Sequence, residues 1–446
     1  MRSFILIAFR NVLLAKRRTM FLGLSLFVIS VLYILLNAFS TGITEVMIDN
    51  ASTLTSGHVN VGGFFKATRR GAIPLVSERD RVKSLVRKLI PDADVIDRGR
   101  GWGRVIGPAS SINCGLSGIN FADESKLLGK VKLAMEREYK EGGRKEVFGN
   151  LQDLAKKDSI LIFAGQAKKL GVGVGDTLTV VTEASGGQSN SLDFTVAAIG
   201  KDIGMTSNWI VFFPHESMNQ LYELKEDTTG NIMIYLKDIR EAESKMALLR
   251  EALPKEGFQL MDYDPNPFFY KFDKVMGEDW LGQKLELTLW KDEISYLMWV
   301  TSAIDLITFI IIAVLSFIIA SGIANTMWLS VRERIKEIGT MRAFGTRKHQ
   351  ILLVFLFEAF FLGYFFVGAG AIFSSLLIFI LNAIEIPINN DSIKLFLMTQ
   401  TLRFSLSPLL LVKTLILFSG IAMLGAFFPA LRAARLKPVD ALSRGK

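Results

Sequence analysis

The sequence predicts an α-helical membrane protein with four transmembrane helices in a one-plus-three arrangement. A large mixed α/β extracytoplasmic domain is expected between helices one and two. Three observations carry this. First, the 446 residues are 50% hydrophobic and 21% charged, with 33 Phe, whereas an ordinary soluble chain holds about 25% charge. Second, the apolar excess is clustered. Residues 19–44, 306–331 and 359–384 contain no Asp, Glu, Lys or Arg, and 404–431 contains only Lys413. About 20 apolar residues cross a hydrocarbon core, so each window is long enough, and a purely soluble enzyme is excluded. Third, positive charge flanks these windows on one side only, which fixes an orientation.

That orientation follows from short stretches. Five basic residues and no acid precede the first window. The 332–349 stretch holds six Lys/Arg against Glu333 and Glu337, and 432–446 holds five against Asp440. The long region 40–296 has 33 basic against 36 acidic residues. Both termini and the 332–349 loop are therefore expected in the cytoplasm, and the large domain and the 385–403 loop outside. The formal charge of +9 belongs to this topology, so no nucleic-acid partner is expected; membrane lipid is.

In chain order, residues 1–18 alternate apolar and basic positions, with Phe4/Ala8 and Ile5/Phe9 sharing a face, as in an interfacial helix. Helix one follows at 19–44; its apolar stretch is too long for a cleaved signal. The outer domain, 45–261, shows strand-like runs at Ser159–Phe163, Leu178–Val181, Phe194–Ile199, Trp209–Phe213 and Asn231–Leu236. Helical stretches fall near Ala167–Leu170, Ser217–Leu224 and Asp238–Leu253, and this alternation suggests βαβ-type units. Residues 122–157 look helix-prone and part of a second subdomain. Residues 262–296, with Trp280, Leu285, Leu287 and Trp290, suit a juxtamembrane helical stalk. Helix two at 297–331, the loop 332–349, helix three at 350–384, the outer loop 385–403, helix four at 404–431 and the tail 432–446 complete the layout.

Catalytic and cofactor signals are missing. Nothing matches G-x-x-x-x-G-K-[ST], so no P-loop is expected. Gly171-Val172-Gly173-Val174-Gly175-Asp176 lacks the last glycine of a dinucleotide fingerprint and precedes a strand-like run, so it reads as a turn. His58, His215 and His349 are scattered without metal-ligand spacing. The single Cys114 cannot form an internal disulfide and reads as a small buried residue. No metal and no cofactor is expected in this chain. Two acids lie inside apolar windows, Asp305 and Glu358, and an intramembrane acid is a functional candidate by default.

The informative stretch leaves helix two at its cytoplasmic end. Arg332, Arg334, Lys336, Glu337, Ile338, Gly339, Met341, Arg342, Ala343, Phe344 and Gly345 combine alternating charge with an apolar face. A solvated loop has no need of Ile338, Met341 and Phe344. One reading is a helix resting on lipid; the sharper one is a helix seated in a groove of a cytoplasmic partner, with a charged rim and an apolar knob.

The pattern Arg-x-Arg-x-x-Glu-Ile-Gly-x-x-Arg-Ala-x-Gly across 332–345 resembles permease subunits of the FtsX/MacB/LolC–LolE superfamily of ABC transporters. Pro429-Ala430, Ala433-Ala434, Pro438, Ala441 and Leu442 are similar to that family's C-terminal signature. Glu358, the Ala167–Leu178 element and Ser56-Gly57-His58 agree with it, and the layout is nearest LolC/LolE-type permeases. The resemblance implies a non-catalytic bacterial inner-membrane permease working with two copies of a separate cytoplasmic ATPase, which binds ATP and Mg. It implies a second permease, a homodimer mate or a sister subunit, and makes a periplasmic carrier a further candidate partner. The leading expectation is release of lipoproteins or another lipidated or amphiphilic substrate. A mechanical switch on a cell-wall hydrolase, an efflux permease, and a membrane-anchored sensor without an ATPase are the alternatives.

Overall fold

The computed structural model describes residues 6–11, 16–68, 71–185, 187–388 and 390–436. The chain divides into two compact units, one of Met1–Glu45, Thr301–Pro387 and Thr401–Lys446, the other of Val46–Val300 and Ile388–Gln400.

Four long helices, Lys16–Thr55, Ser295–Glu333, Lys348–Ile384 and Pro408–Ala434, make up most of the first unit, although residues 46–55 and 295–300 of the first two belong to the second. Each is long and apolar enough to cross a membrane, and the chain is a multi-pass membrane protein. The first helix, at 40 residues, runs about 60 Å, twice a hydrocarbon core, so much of it lies beyond the bilayer. The fourth starts at Pro408, not at 404 as the hydropathy suggests. Ser407 caps it by accepting the Leu410 N–H, and Pro408 occupies the first turn, where a missing N–H costs nothing.

All four helices contribute to one core: Leu22 and Leu26, Ile319 and Ile323, Ile351 and Phe355, Phe418 and Ala422. Small residues allow the close approach. A Cβ on Gly363 would stand 2.8 Å from the Cα of Ser419, and one on Gly425 would stand 2.7 Å from the carbonyl oxygen of Ala320. Phe309, Phe317, Ile372, Phe379 and Ile416 remain exposed, as suits side chains facing lipid. Of the interfacial helix expected over 1–18, residues 6–11 are helical; residues 1–5 and 12–15 lie outside the described residues. So do Pro438, Ala441 and Leu442 of the C-terminal signature.

The second unit is a mixed α/β domain. Its strands are β1 (Val59–Thr68), β2 (Gly71–Pro74), β3 (Val76–Ser77), β4 (Asp94–Ile106), β5 (Ser111–Ile119) and β6 (Ser159–Phe163). β7 (Thr177–Glu183), β8 (Ser189–Gly200), β9 (Ile210–Pro214), β10 (Thr228–Thr229), β11 (Asn231–Tyr235) and β12 (Gly282–Leu289) complete them. The main sheet runs β12-β1-β11-β4-β5-β9-β6-β8-β7, and β7 pairs again with β4. That second pairing, Arg104 to Ile106 against Thr179 to Val181, closes β4 to β9 into a ring. Inside it pack Val105, Cys114, Leu116, Ile160, Ile162, Phe194 and Phe213. Closure satisfies edge groups that an open sheet would leave unpaired. A second core, with Val59, Val61, Ile232, Ile234, Leu285, Leu287 and Leu249, lies around β1, β11 and β12.

Three expectations change. Residues 262–296 are not a helical stalk: β12 lies within them, paired antiparallel to β1 from Val59↔Leu289 to Lys66↔Gly282. Leu285, Leu287 and Leu289 alternate with Lys284, Glu286 and Thr288, the period of a strand; the leucines join an apolar core, while Glu286 and Thr288 are buried on the other face in bonds to Lys271 and Glu293. Residues 122–157 hold only short helices, Ser125–Lys130 and Glu136–Tyr139, and a 3-10 turn at Leu151–Ala155. Leu127, Val131 and Ala134 are buried at helical spacing, but Leu133 and Met135 form bridges to Gly200 and Val147 that hold the chain extended after Lys130. The 385–403 stretch is not a free loop either. It contains the helix Asp391–Leu397, and residues 388–400 pack with the α/β domain. Asn50 Nδ2 donates to the Met398 carbonyl at 2.7 Å. Met398 also lies where a side chain on Gly204 (φ 66°) would be.

The Gly171–Asp176 segment is the turn expected of it. Gly171, at φ 72°, ends the helix Ala164–Leu170 in the left-handed region, and β7 follows.

Candidate functional site

The segment singled out by its sequence is a short helix held between two long ones. The second spanning helix stops at Glu333; Arg334 leaves helical geometry, and a new helix covers Ile335–Ala343. Gly345, at φ 88°, ends it, as only glycine readily can. The third spanning helix then begins at Lys348, with the Arg347 N–H donating to Gln350 Oε1 at 2.8 Å.

The two faces of this helix differ in what they touch. Ile338 and Gly339 are buried, and Ile338 joins the core with Val331, Ile351 and Phe355. Arg332, Lys336, Glu337, Thr340, Ala343 and Gly345 are exposed, and Phe344 is 86% exposed. Met341 and Arg342 are half-buried; Arg342 Nη1 donates to the Thr346 carbonyl at 3.0 Å. The sequence reading placed Ile338 on a partner-facing apolar surface. The structure turns it inward, because the i, i+3, i+4 stripe continues the core stripe of the neighbouring helices. Phe344 is the apolar side chain that remains outside.

Arg334 ties the segment to the third spanning helix. Its Nη1 donates to Glu358 Oε1 at 2.8 Å, while its Nε donates to Glu337 Oε2 at 2.8 Å. Glu358 is 1% exposed, and Asn11 Nδ2 donates to the same Oε1 at 2.5 Å. Glu358 Oε2 is buried with no partner among the described residues. Burial alone would lower the Arg334 pKa, but the Glu358 and Glu337 carboxylates outweigh it and hold the guanidinium above its usual value. Three stretches distant in sequence thus meet at one carboxylate.

The second intramembrane acid has a different setting. Asp305 Oδ1 accepts from Ser40 Oγ at 2.8 Å, which links the first and second spanning helices. The sequence reading found both acids but neither Asn11 nor Ser40; no local pattern marks an Asn or Ser as an acid's partner. The pairing of Arg334 with Glu358, 24 residues apart across the Ile335–Ala343 helix, has no local signal either. Among the described residues no group of His, Cys, Asp and Glu could hold a metal ion.

Comparison with known proteins bears on these same residues. Residues 309–438 match the FtsX-like permease C-terminal family. The macrolide export ATP-binding/permease protein MacB of Hahella chejuensis is 36% identical over 134 residues, 30% of this chain and 18% of that protein. An uncharacterized ABC transporter permease of Methanocaldococcus jannaschii is 32% identical over 146 residues, 32% of this chain and 34% of that relative. The chain therefore spans less than a fifth of the first relative and about a third of the second. The solved periplasmic region of MacB from Actinobacillus actinomycetemcomitans covers 45% of this chain and 86% of that structure, at 13% identity and a TM-score of 0.28. That likeness is too slight to carry anything about the α/β domain. The family match thus lies on the last three spanning helices and the segments between them, and it is this part of the chain that is similar to FtsX-like permeases.

Proposed function

We propose that this chain is the membrane subunit of an ATP-driven transporter and that its 335–343 helix takes up the movement of a cytoplasmic ATPase. The observation that carries the reading is the division of that helix. Arg334, Ile338 and Gly339 anchor it to the spanning bundle, while Lys336, Glu337 and Phe344 stay exposed. A charged rim around one exposed aromatic is the composition of a docking surface, and a rigid anchor is needed if a push is to reach the bundle. The basic flanks support a topology with this segment and both termini in the cytoplasm and the α/β domain outside, in the inner membrane of a bacterial cell. Two ATPase copies and a second permease, identical or sister, complete the assembly.

The substrate is amphiphilic. Release of lipoproteins from the membrane is the leading case, and the 36% identity to a macrolide exporter favours efflux of a hydrophobic small molecule as the second. A photo-crosslinking residue at 344, introduced in native membranes, is expected to capture an ATP-binding protein, and one at 338 is not. Capture of lipid alone from position 344 would refute the docking reading. Proteoliposomes holding the captured complex, loaded in parallel with an acylated polypeptide and a macrolide, then separate the two substrates by which one leaves with ATP.

A further inference from the structure

Strand β4 carries the sequence Arg98-Gly99-Arg100-Gly101-Trp102-Gly103-Arg104, large side chains alternating with none. The glycine face is forced. A Cβ on Gly99 would stand 2.6 Å from Met218 Cγ, and one on Gly101 would stand 2.2 Å from Tyr222 Oη. Arg98, Arg100 and Trp102 must therefore project from the opposite face. There they meet a cavity of about 590 Å³ inside the α/β domain, within the usual size range for a small-molecule site.

The walls are aromatic: Trp102, Trp209, Phe269, Tyr270, Tyr296 and Trp299. Five of these are substantially exposed, with Trp209 at 61% and Tyr270 at 72%, and Trp102 meets Phe269 edge-on at 5.6 Å. The charges cancel in pairs. Arg98 grips Glu124 through two hydrogen bonds, at 2.5 and 2.7 Å, and Arg100 stands 3.7 Å from Glu293. One polar atom is left over: Asn231 is 2% exposed, lines the cavity, and its Oδ1 has no partner among the described residues. A buried acceptor without a donor is costly unless something supplies one.

The lining itself suits an amphiphile. Leu54 and Thr55 end the helix that forms the first span, and Tyr296 and Trp299 lie in the opening turns of the helix that forms the second. Trp and Tyr are the side chains that favour the boundary between lipid and water.

We infer that this cavity binds the acyl chain of a neutral amphiphile, with a hydroxyl or amide donor of its head group meeting Asn231 Oδ1. The cancelled charges disfavour an anionic head, and the apolar walls favour a single chain. Two sources share this chemistry, a monoacyl glycerolipid and an acylated polypeptide. The amphiphilic substrate proposed above guides only the choice of probe.

The test uses the full chain in nanodiscs without nucleotide. It is labelled in separate arms with a diazirine-bearing monoacylglycerol and a diazirine-acylated peptide, and the adducts are mapped by mass spectrometry. Adducts on peptides covering 98–102, 209 or 269–270 support the inference, and the arm that labels more strongly, and is not displaced by the other, identifies the source. In the double variant Trp209→Ala/Tyr270→Ala, exposed positions whose loss leaves the fold intact, labelling is expected to fall about tenfold. Ser117→Phe, which fills the cavity, is expected to lower it similarly, with thermal melting confirming the fold of both variants. Adducts confined in both arms to spanning-helix positions other than 54–55 and 296–299, or cavity labelling unchanged in both variants, would overturn it. Because no ATPase is present, the result stands apart from the outcome of cross-linking at position 344.

Discussion

Replacing Glu358 with Gln removes a charge from the point where three sequence-distant stretches meet. Glu358 is almost wholly buried and accepts from Arg334 at 2.8 Å and Asn11 at 2.5 Å. Removing one partner of a fully buried pair costs about 3–5 kcal/mol. The Arg334 side chain keeps 21% of its exposure and also reaches Glu337, whose side chain is 65% exposed, so part of its charge stays solvated. The expected cost of Glu358→Gln is therefore about 2–3 kcal/mol. Glu337→Gln, which touches only the exposed pair, is expected to cost under about 1 kcal/mol. Unfolding of the full chain by a denaturing detergent in mixed micelles would measure both, and adding Arg334→Gln closes a double-mutant cycle. An interaction energy between positions 334 and 358 below about 0.5 kcal/mol would mean the two groups are independent, and the anchor assigned to Arg334 would be wrong. The functional readout should invert the order. Glu337→Gln is expected to weaken ATP-driven coupling with stability nearly intact, whereas Glu358→Gln loses both.

Three further outcomes are expected. Burial and the nearby Lys126 lower the His58 pKa below its ordinary 6.5, and its Nδ1 accepts the Leu236 N–H at 3.0 Å. The unfolded chain thus binds the extra proton first, so α/β-domain stability is fully present above pH 6.5 and falls as the pH drops below it; His58→Gln should flatten that slope in melts between pH 5 and 7. Burial pushes the Cys114 thiol up to about 12, so maleimide labelling of the native chain should be negligible at pH 7.5 and complete in denaturant; fast native labelling would contradict the closed ring around it. Gly363→Leu places side-chain atoms where the Ser419 backbone stands and should cost about 1–3 kcal/mol by overpacking, read as earlier detergent unfolding, while Gly129→Ala, with open space around its Cα, should not.

The spanning helices were legible because lipid imposes a one-dimensional rule: a long enough run without charge. The same simplicity made 332–345 conspicuous, since alternating charges and glycines immediately after such a run have no role inside it. The α/β domain was partly legible. β6, β7, β8, β9 and β11 are short apolar runs bounded by turn residues, and they stand out as such. β4 and β5 do not, because their glycines suppress the apolar signal; the pattern Arg-Gly-Arg-Gly-Trp-Gly-Arg marks a strand only once Met218 and Tyr222 are known to press on its glycine face. β12 was misread because Trp280 and Trp290 beside charges suggest a helix, while the alternation of Leu285, Leu287 and Leu289 between them was the stronger signal.

The amino-acid sequence by itself determined that this chain holds four stretches long and apolar enough to cross a membrane, where its charge surplus sits, and which segment between the second and third helices departs from the apolar pattern. These follow from local composition, and each residue counts toward them without reference to any other. Only the tertiary structure decided that Arg334 grips Glu358, that Ile338 faces inward while Phe344 stays outside, and that six aromatic side chains from distant stretches wall one cavity. Those are properties of pairs and groups far apart in the chain, and a pairing exists only once folding has fixed the distance between its members.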